Sequence, residues 1–310
     1  MRRRERERCG NKRVTAGTVG AALRAGDLDF VRDWICRGTQ PDWSWICETM
    51  RGGHFEVAEF VMQSGVSRNI FTMAAMAEAA HLKRRLRRFA QDARRTANME
   101  PGCVAVTPLH VACAAYPARV RPNGTKSQLN VAEQLLAHGA DVNARARYRD
   151  LEDATPLTCA CWSSGNVVLV DTLLNHGAIA SERDLFAALG HYQRHASPAF
   201  DIAESLLAAG IAVDGRVSGE FTLLQTFAHQ AAHRTVAWLI KRGADVNRRG
   251  PGGRTAAHFA AERNTGPRTL ELLIAHGADL TCRDDDGNRP IDVARRNGKL
   301  GLVELLKRSR

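Results

Sequence analysis

Aromatic residues are scarce, 6% of a chain in which 44% of residues are hydrophobic. A core built around large rings is therefore not expected; close packing of Leu- and Ala-rich segments is. No run of 18 apolar residues occurs, so no transmembrane helix is expected. The opening Met1-Arg2-Arg3-Arg4-Glu5-Arg6-Glu7-Arg8 lacks the apolar stretch of a signal peptide, and its two Glu argue against a transit peptide. The eight cysteines (Cys9, Cys36, Cys47, Cys103, Cys113, Cys159, Cys161 and Cys282) include no C-x-x-C pair and no His partners at zinc-finger spacing. They read as reduced, buried thiols of a cytoplasmic protein. Also missing are a phosphate-binding G-x-x-x-x-G-K-[ST], a metal-binding H-E-x-x-H and a nucleophile-bearing G-x-S-x-G. The expectation is a non-enzyme with no cofactor and no metal.

Negative charge is short in the first third. Residues 1–100 hold 19 Lys/Arg against 12 Asp/Glu, and residues 101–310 hold 25 against 21, within a formal total of +11. Such an excess favours acidic partners of any kind. Residues 1–13 read as a flexible basic arm. The densest basic segment holds Lys83, Arg84, Arg87, Arg88, Arg94 and Arg95, on a helix whose buried face is marked by Leu82, Leu86 and Phe89. It reads either as a solvated helix face or as a site for acidic protein or nucleic acid. With Phe89 assigned to the core, no aromatic interleaves with the arginines, which weighs against a single-strand stacking site.

What the chain does have is one phrase, repeated. It runs Leu135-Leu136-Ala137-His138-Gly139-Ala140-Asp141 and returns at Leu173–Ala178, Leu239–Asp245 and Leu272–Asp279, with a weaker copy at Leu206–Gly210. Gly177, Gly210, Gly243 and Gly277 are spaced 33, 33 and 34 residues apart, a period that signals stacked repeats. Two apolar residues followed by Gly are the end of a helix whose chain must turn left-handed. Upstream stands a second phrase: Thr107-Pro108-Leu109-His110-Val111-Ala112, Thr155-Pro156-Leu157-Thr158-Cys159-Ala160 and Thr255-Ala256-Ala257-His258-Phe259-Ala260. Thr suits a helix N-cap and Pro the first helical turn. Each unit is thus turn, helix, loop, helix, Gly.

These phrases resemble those of the ankyrin repeat family, clearly over about 100–310 and in degenerate form over about 14–98. The resemblance implies an all-α solenoid of about nine helix-turn-helix units with β-turn fingers. It also implies that His110 and His258 bridge backbone groups of neighbouring units. Residues 99–310 are read as the repeat domain proper, its last unit a cap ending in Lys307, Arg308 and Arg310.

The distances between copies locate the departures. Gly38 to Gly65 is only 27 residues, so that unit lacks most of its finger. Thr107 to Gly139 carries 10 residues more than Thr155 to Gly177, an insertion near residues 116–127. The next finger is long and holds Arg145, Arg147, Tyr148 and Arg149, residue types that carry interface energy. The fingers Val213–Thr222, Val246–Thr255 and Leu280–Arg289 are each ten residues, so their frames should superpose while their tips differ.

The leading functional expectation is a monomeric, non-catalytic scaffold that binds another protein on its concave face and finger tips. The candidate contacts are Arg145, Arg147, Tyr148, Arg149, Trp162, Phe221, His229, Arg254, Arg263, Asp285 and Asp286. Trp162 and Ser163 stand where the repeat frame exposes the first helix, and a one-residue shift in alignment would bury Trp162 instead. The alternative is a binder of nucleic acid or another anionic surface through the basic first third, the arm included.

Overall fold

A computed structural model of the chain describes residues 16–99, 103–115, 123–148, 151–190, 198–217, 221–263 and 266–309. The basic arm, Arg149, the insertion at 116–122, the loop at 191–197 and the finger tip at 218–220 lie outside the described residues. The chain divides into two compact units, Met1–Ala178 and Ile179–Arg310.

Among the described residues the first unit holds five helix pairs: α1 (Ala16–Ala25) with α2 (Leu28–Cys36), α3 (Trp43–Gly52) with α4 (Phe55–Gln63), α5 (Ile70–Ala75) with α6 (Ala79–Arg88), α7 (Pro108–Ala114) with α8 (Gly124–Ala137), and α9 (Pro156–Cys159) with α10 (Val167–Asn175). The second holds four: α11 (Glu182–Gly190) with α12 (Phe200–Ala208), α13 (Leu223–His229) with α14 (His233–Lys241), α15 (Ala256–Arg263) with α16 (Arg268–Ala275), and α17 (Pro290–Arg296) with α18 (Leu300–Arg308). First helices pack on first helices along each unit (α1 on α3, α3 on α5, α5 on α7, α7 on α9; α13 on α15, α15 on α17). The result is the all-α repeat solenoid the phrases implied.

Both phrases do the local work expected of them. Thr107, Thr155 and Thr222 cap α7, α9 and α13, each side chain accepting from the N–H three residues on. Pro108 and Pro156 occupy the first turn, where no N–H is needed. At the other end Gly177 takes φ +84°, and two bonds close the α10 terminus: Gly177 N to Leu174 O at 2.9 Å and Ala178 N to Leu173 O at 2.9 Å. This 6→1, 5→2 pattern satisfies carbonyls that a helix end otherwise leaves open. Where a His precedes the Gly it adds a third bond: the Nδ1 of His138, His176 and His276 meets the carbonyl four residues back at 2.8 Å.

Core Leu residues such as Leu109, Leu157, Leu173, Leu206, Leu239 and Leu273 are fully buried. Five cysteines are buried as well, but Cys36 is exposed and Cys282 half-buried, so the expectation of uniformly buried thiols fails at those two. Burial pushes the Cys113 thiol well above its ordinary range.

Finger lengths follow the sequence distances. α2 ends at Cys36 and α3 begins at Trp43, leaving no room for a hairpin. The two long fingers do more than turn. β1 (Ala97–Met99) and β2 (Cys103–Val106) form one hairpin, β3 (Ala146–Tyr148) and β4 (Leu151–Ala154) the next. The two join edge to edge in a four-stranded antiparallel sheet through Cys103↔Tyr148 and Val104↔Arg147. The three ten-residue fingers close alike: β5 (Arg216–Val217) and β6 (Phe221–Thr222) pair Val217 with Phe221, while Gly250 N bonds Arg254 O and Asp284 N bonds Asn288 O, both at 2.9 Å. Part of the insertion after α7 is helix, because α8 has 14 residues where α10 has nine. Gln128 anchors it from a buried position, donating to Ala112 O at 2.8 Å and Ala115 O at 2.9 Å.

Candidate functional site

The residue three places after each capping Thr sets how fingers meet helices. His258 Nδ1 accepts from Thr255 N at 3.1 Å, and its Nε2 meets Asn288 O of the next finger at 3.1 Å. His110 does the same with Thr107 N at 3.3 Å and Ala154 O at 3.0 Å. Gln225 reproduces the arrangement with an amide: Oε1 accepts from Thr222 N at 3.0 Å, and Nε2 donates to Arg248 O at 2.8 Å. Burial disfavours the imidazolium, so His110 falls from 6.5 to about 4, and His258 is lowered for the same leading reason. Both residues are structural, as the resemblance implied.

Gln225 also donates to Arg254 O at 3.3 Å, which sets the last residue of that finger beside the first helices, and in the second unit five charged or aromatic side chains meet there. The Arg254 guanidinium lies over the Phe259 ring, 4.4 Å from its centroid, and Arg254 Nη2 donates to Glu262 Oε2 at 3.1 Å. Phe221 meets Phe259 edge-on at 5.4 Å, and His229 does so at 6.1 Å. His229 Nε2 stands 3.8 Å from Glu262 Oε2. Burial first, then Arg263 and Arg254, hold the His229 pKa down against the pull of Glu262, so the imidazole is neutral at pH 7. The Arg254 Nε is buried with no hydrogen-bond partner among the described residues. The structure therefore brings together Phe221, His229 and Arg254. It adds Phe259 and Glu262, of which Phe259 is 6% exposed. The sequence offered one signal for Phe259: it stands where sister repeats have Val111, Cys159, Thr226 and Val293.

Finger tips extend this surface. Arg249 and Asp285 form an ion pair at 3.5 Å, and Asp285 N donates to Gly252 O at 2.9 Å, so adjacent tips are tied together. Asp286 and Arg263 are exposed.

In the first unit the candidates fare unevenly. Arg145 is exposed, 3.9 Å from Asp153 across its hairpin, and Arg147 is exposed opposite Val104. Tyr148 is a correction: it is only 3% exposed, because alternation along β3 turns Ala146 and Tyr148 inward together. Trp162 is half-buried and Ser163 buried, not on the open face that the repeat frame predicts for both. The cause is a wide turn of π type over Ala160–Ser164, which adds a residue per turn and shifts the phase of the helix end.

The basic patch also divides. Lys83, Arg84, Arg87 and Arg88 are exposed on α6. Arg95 pairs with the buried Asp92 at 3.5 Å. Arg94 is spent on packing: its Nε donates to Gly139 O at 2.9 Å. Asn143 and Asn247 make the corresponding bond to Gly177 O and Gly277 O, each at 2.9 Å. Arg94 thus substitutes for the Asn of a regular repeat. Arg94→Ala is expected to lower stability by about 1 kcal/mol in a thermal melt. Phe89 is a further correction. The helix ends before it, at φ −138°, and the ring is 47% exposed instead of buried.

No helix among the described residues is long and apolar enough to cross a membrane, and no group of three or more His, Cys, Asp or Glu there could hold a metal ion.

Comparison with known proteins agrees with this frame. The sequence model "Ankyrin repeats (3 copies)" matches residues 224–309, and the model "Ankyrin repeat" matches residues 106–147 and 152–185, together more than half of the chain. Alpha-latrocrustotoxin-Lt1a of Latrodectus tredecimguttatus is 26% identical over 258 residues, which are 80% of this chain and 17% of that protein. The BTB/POZ domain and ankyrin repeat-containing protein NH5.2 of Oryza sativa subsp. japonica is 30% identical over 165 residues, 52% of this chain and 32% of that protein. The chain thus spans less than a third of the first relative and about a third of the second. The crystal structure of the human ASB11 ankyrin repeat domain is similar at a TM-score of 0.59 and 25% identity, covering 79% of this chain and 98% of that one. On the repeat frame and on these matches together, the chain belongs to the ankyrin repeat family.

Proposed function

We propose that the chain is a non-catalytic scaffold that binds a protein partner on the concave face of its second unit. Ankyrin repeats are in general protein–protein interaction modules; the face and its residues are our reading. One observation carries it: the Arg254 guanidinium is held over Phe259 at 4.4 Å and by Glu262 at 3.1 Å, with Phe221 and His229 beside it. An Arg already ordered by its neighbours loses little entropy on binding, and Arg on an aromatic platform is a frequent interface anchor. Arg263 and the tips at Asp285 and Asp286 form the surrounding polar surface in this unit, and the exposed Arg145 and Arg147 offer a separate contact on the first unit. In this reading residues 14–98 are degenerate repeats preceding a regular domain over 99–310. The protein acts as a monomer in the cytoplasm, where buried thiols such as Cys113 stay reduced.

The test is capture of proteins from a lysate by the immobilised full chain. Phe221→Ala with His229→Ala should remove the specifically bound proteins, and Glu271→Ala, an exposed change on α16, should retain them. The opposite pattern would place the binding face on the second helices and sink the proposal.

A further inference from the structure

Helix α6 has two unlike sides. Leu82 and Leu86 are buried, whereas Lys83, Arg84, Arg87 and Arg88 are exposed and form no ion pair among the described residues. Lys83 with Arg87, and Arg84 with Arg88, are i,i+4 neighbours of like charge, a destabilising arrangement unless a counter-charge arrives. The nearest acids in sequence are already engaged. Glu78 pairs with Arg68 at 3.4 Å and lies 3.6 Å from His81, and Asp92 is buried against Arg85 at 2.6 Å.

Directly after these cations stands the open ring of Phe89, and it is not loose. The Arg85 guanidinium lies 5.6 Å from its centroid, and Arg85 is itself held by the buried Asp92. An ion pair to the buried Asp92 thus props an aromatic ring in the open beside four uncompensated cations.

We infer that this surface binds single-stranded nucleic acid. It goes beyond the partner proposed for the second unit and does not depend on it. The four cations, three of them Arg with forked donors, meet successive phosphates, while an unstacked base lies on Phe89. Duplex hides its base faces and offers nothing to the ring. An acidic polypeptide neutralises the cations without needing a flat platform.

The test is fluorescence anisotropy of a labelled oligothymidine of about twenty nucleotides, with a duplex of equal length and polyglutamate as competitors. The full chain should prefer the single strand, with a log–log salt slope contribution of about −3 from the four cations. Phe89→Ala should weaken binding about tenfold without moving the melting temperature. Arg84→Gln with Arg87→Gln should reduce the slope by about 1.4. Three results overturn the inference: no binding at low salt, equal affinity for duplex with Phe89→Ala silent, or polyglutamate displacing the oligonucleotide at matched charge. The last would assign the patch to an acidic protein.

Discussion

Replacing His110 by Ala is expected to lower the unfolding free energy by about 3 kcal/mol. The side chain is fully buried. Its loss leaves Ala154 O without the bond at 3.0 Å and Thr107 N without the one at 3.3 Å, and it opens a cavity of imidazole size. His110→Gln should keep most of that stability, because Gln225 already performs the same bridging three repeats further on.

The two variants also separate packing from titration. The folded pKa of His110, about 4, lies below its ordinary 6.5, so the unfolded chain binds the proton more readily. The stability this group contributes is complete above pH 6.5 and drains away as the pH falls towards 4, a loss of about 3 kcal/mol. His258 shifts in the same direction and adds to it. Urea unfolding at neutral pH and near pH 4.5 should therefore show a shallower acid loss for His110→Gln than for the wild type. Equal losses would place the acid sensitivity in other groups.

Arg254→Ala should weaken the partner complex by tenfold to a hundredfold, about 1.4–2.8 kcal/mol, read by titration calorimetry with the captured partner. Its backbone role survives the change, since Arg254 O still accepts from Gly250 N at 2.9 Å. Arg254→Lys should recover only part of the loss, because an ammonium neither stacks flat on Phe259 nor presents a fork. A second readout needs no partner. Arg254 is one of the charges that hold the His229 pKa down. Removing it leaves Arg263 as the one cation opposing Glu262, and the His229 titration followed by NMR should move upward. An unmoved midpoint together with unchanged affinity would show that the cluster is no more than a contact between repeats.

Much of the scaffold was legible because its signals are local. A Thr cap acts within three residues and a Gly turn within five, so the spacing of such phrases measures repeat length without any tertiary information. The short finger before α3 followed from Gly38 and Gly65 in the same way. The site was legible in part. Phe221, His229 and Arg254 were singled out by their places in the frame, and they do meet. Phe259 was not, since a Phe among Ala residues of a first helix reads as core.

The misplacements share one cause: they depend on phase. Tyr148 lies on the inward side of β3, a matter of which strand it pairs with. Trp162 and Ser163 follow a π turn that no pattern of period 3.6 anticipates. Phe89 sits one residue past the last helical turn, and its exposure reverses the sequence argument against a stacking platform.

The amino-acid order alone determined the repeat class, the finger lengths and the caps, because each is decided by contacts within about five residues. Which side chains are free to act was decided only in three dimensions. Arg94 reaches Gly139, 45 residues away, and is no longer available. Arg254 meets Phe259 and Glu262 on a finger that Gln225, 29 residues back, holds by its bond to Arg254 O. Burial and long-range hydrogen bonds are properties of the packed chain, and they separate a charge that holds repeats together from one that can hold a partner.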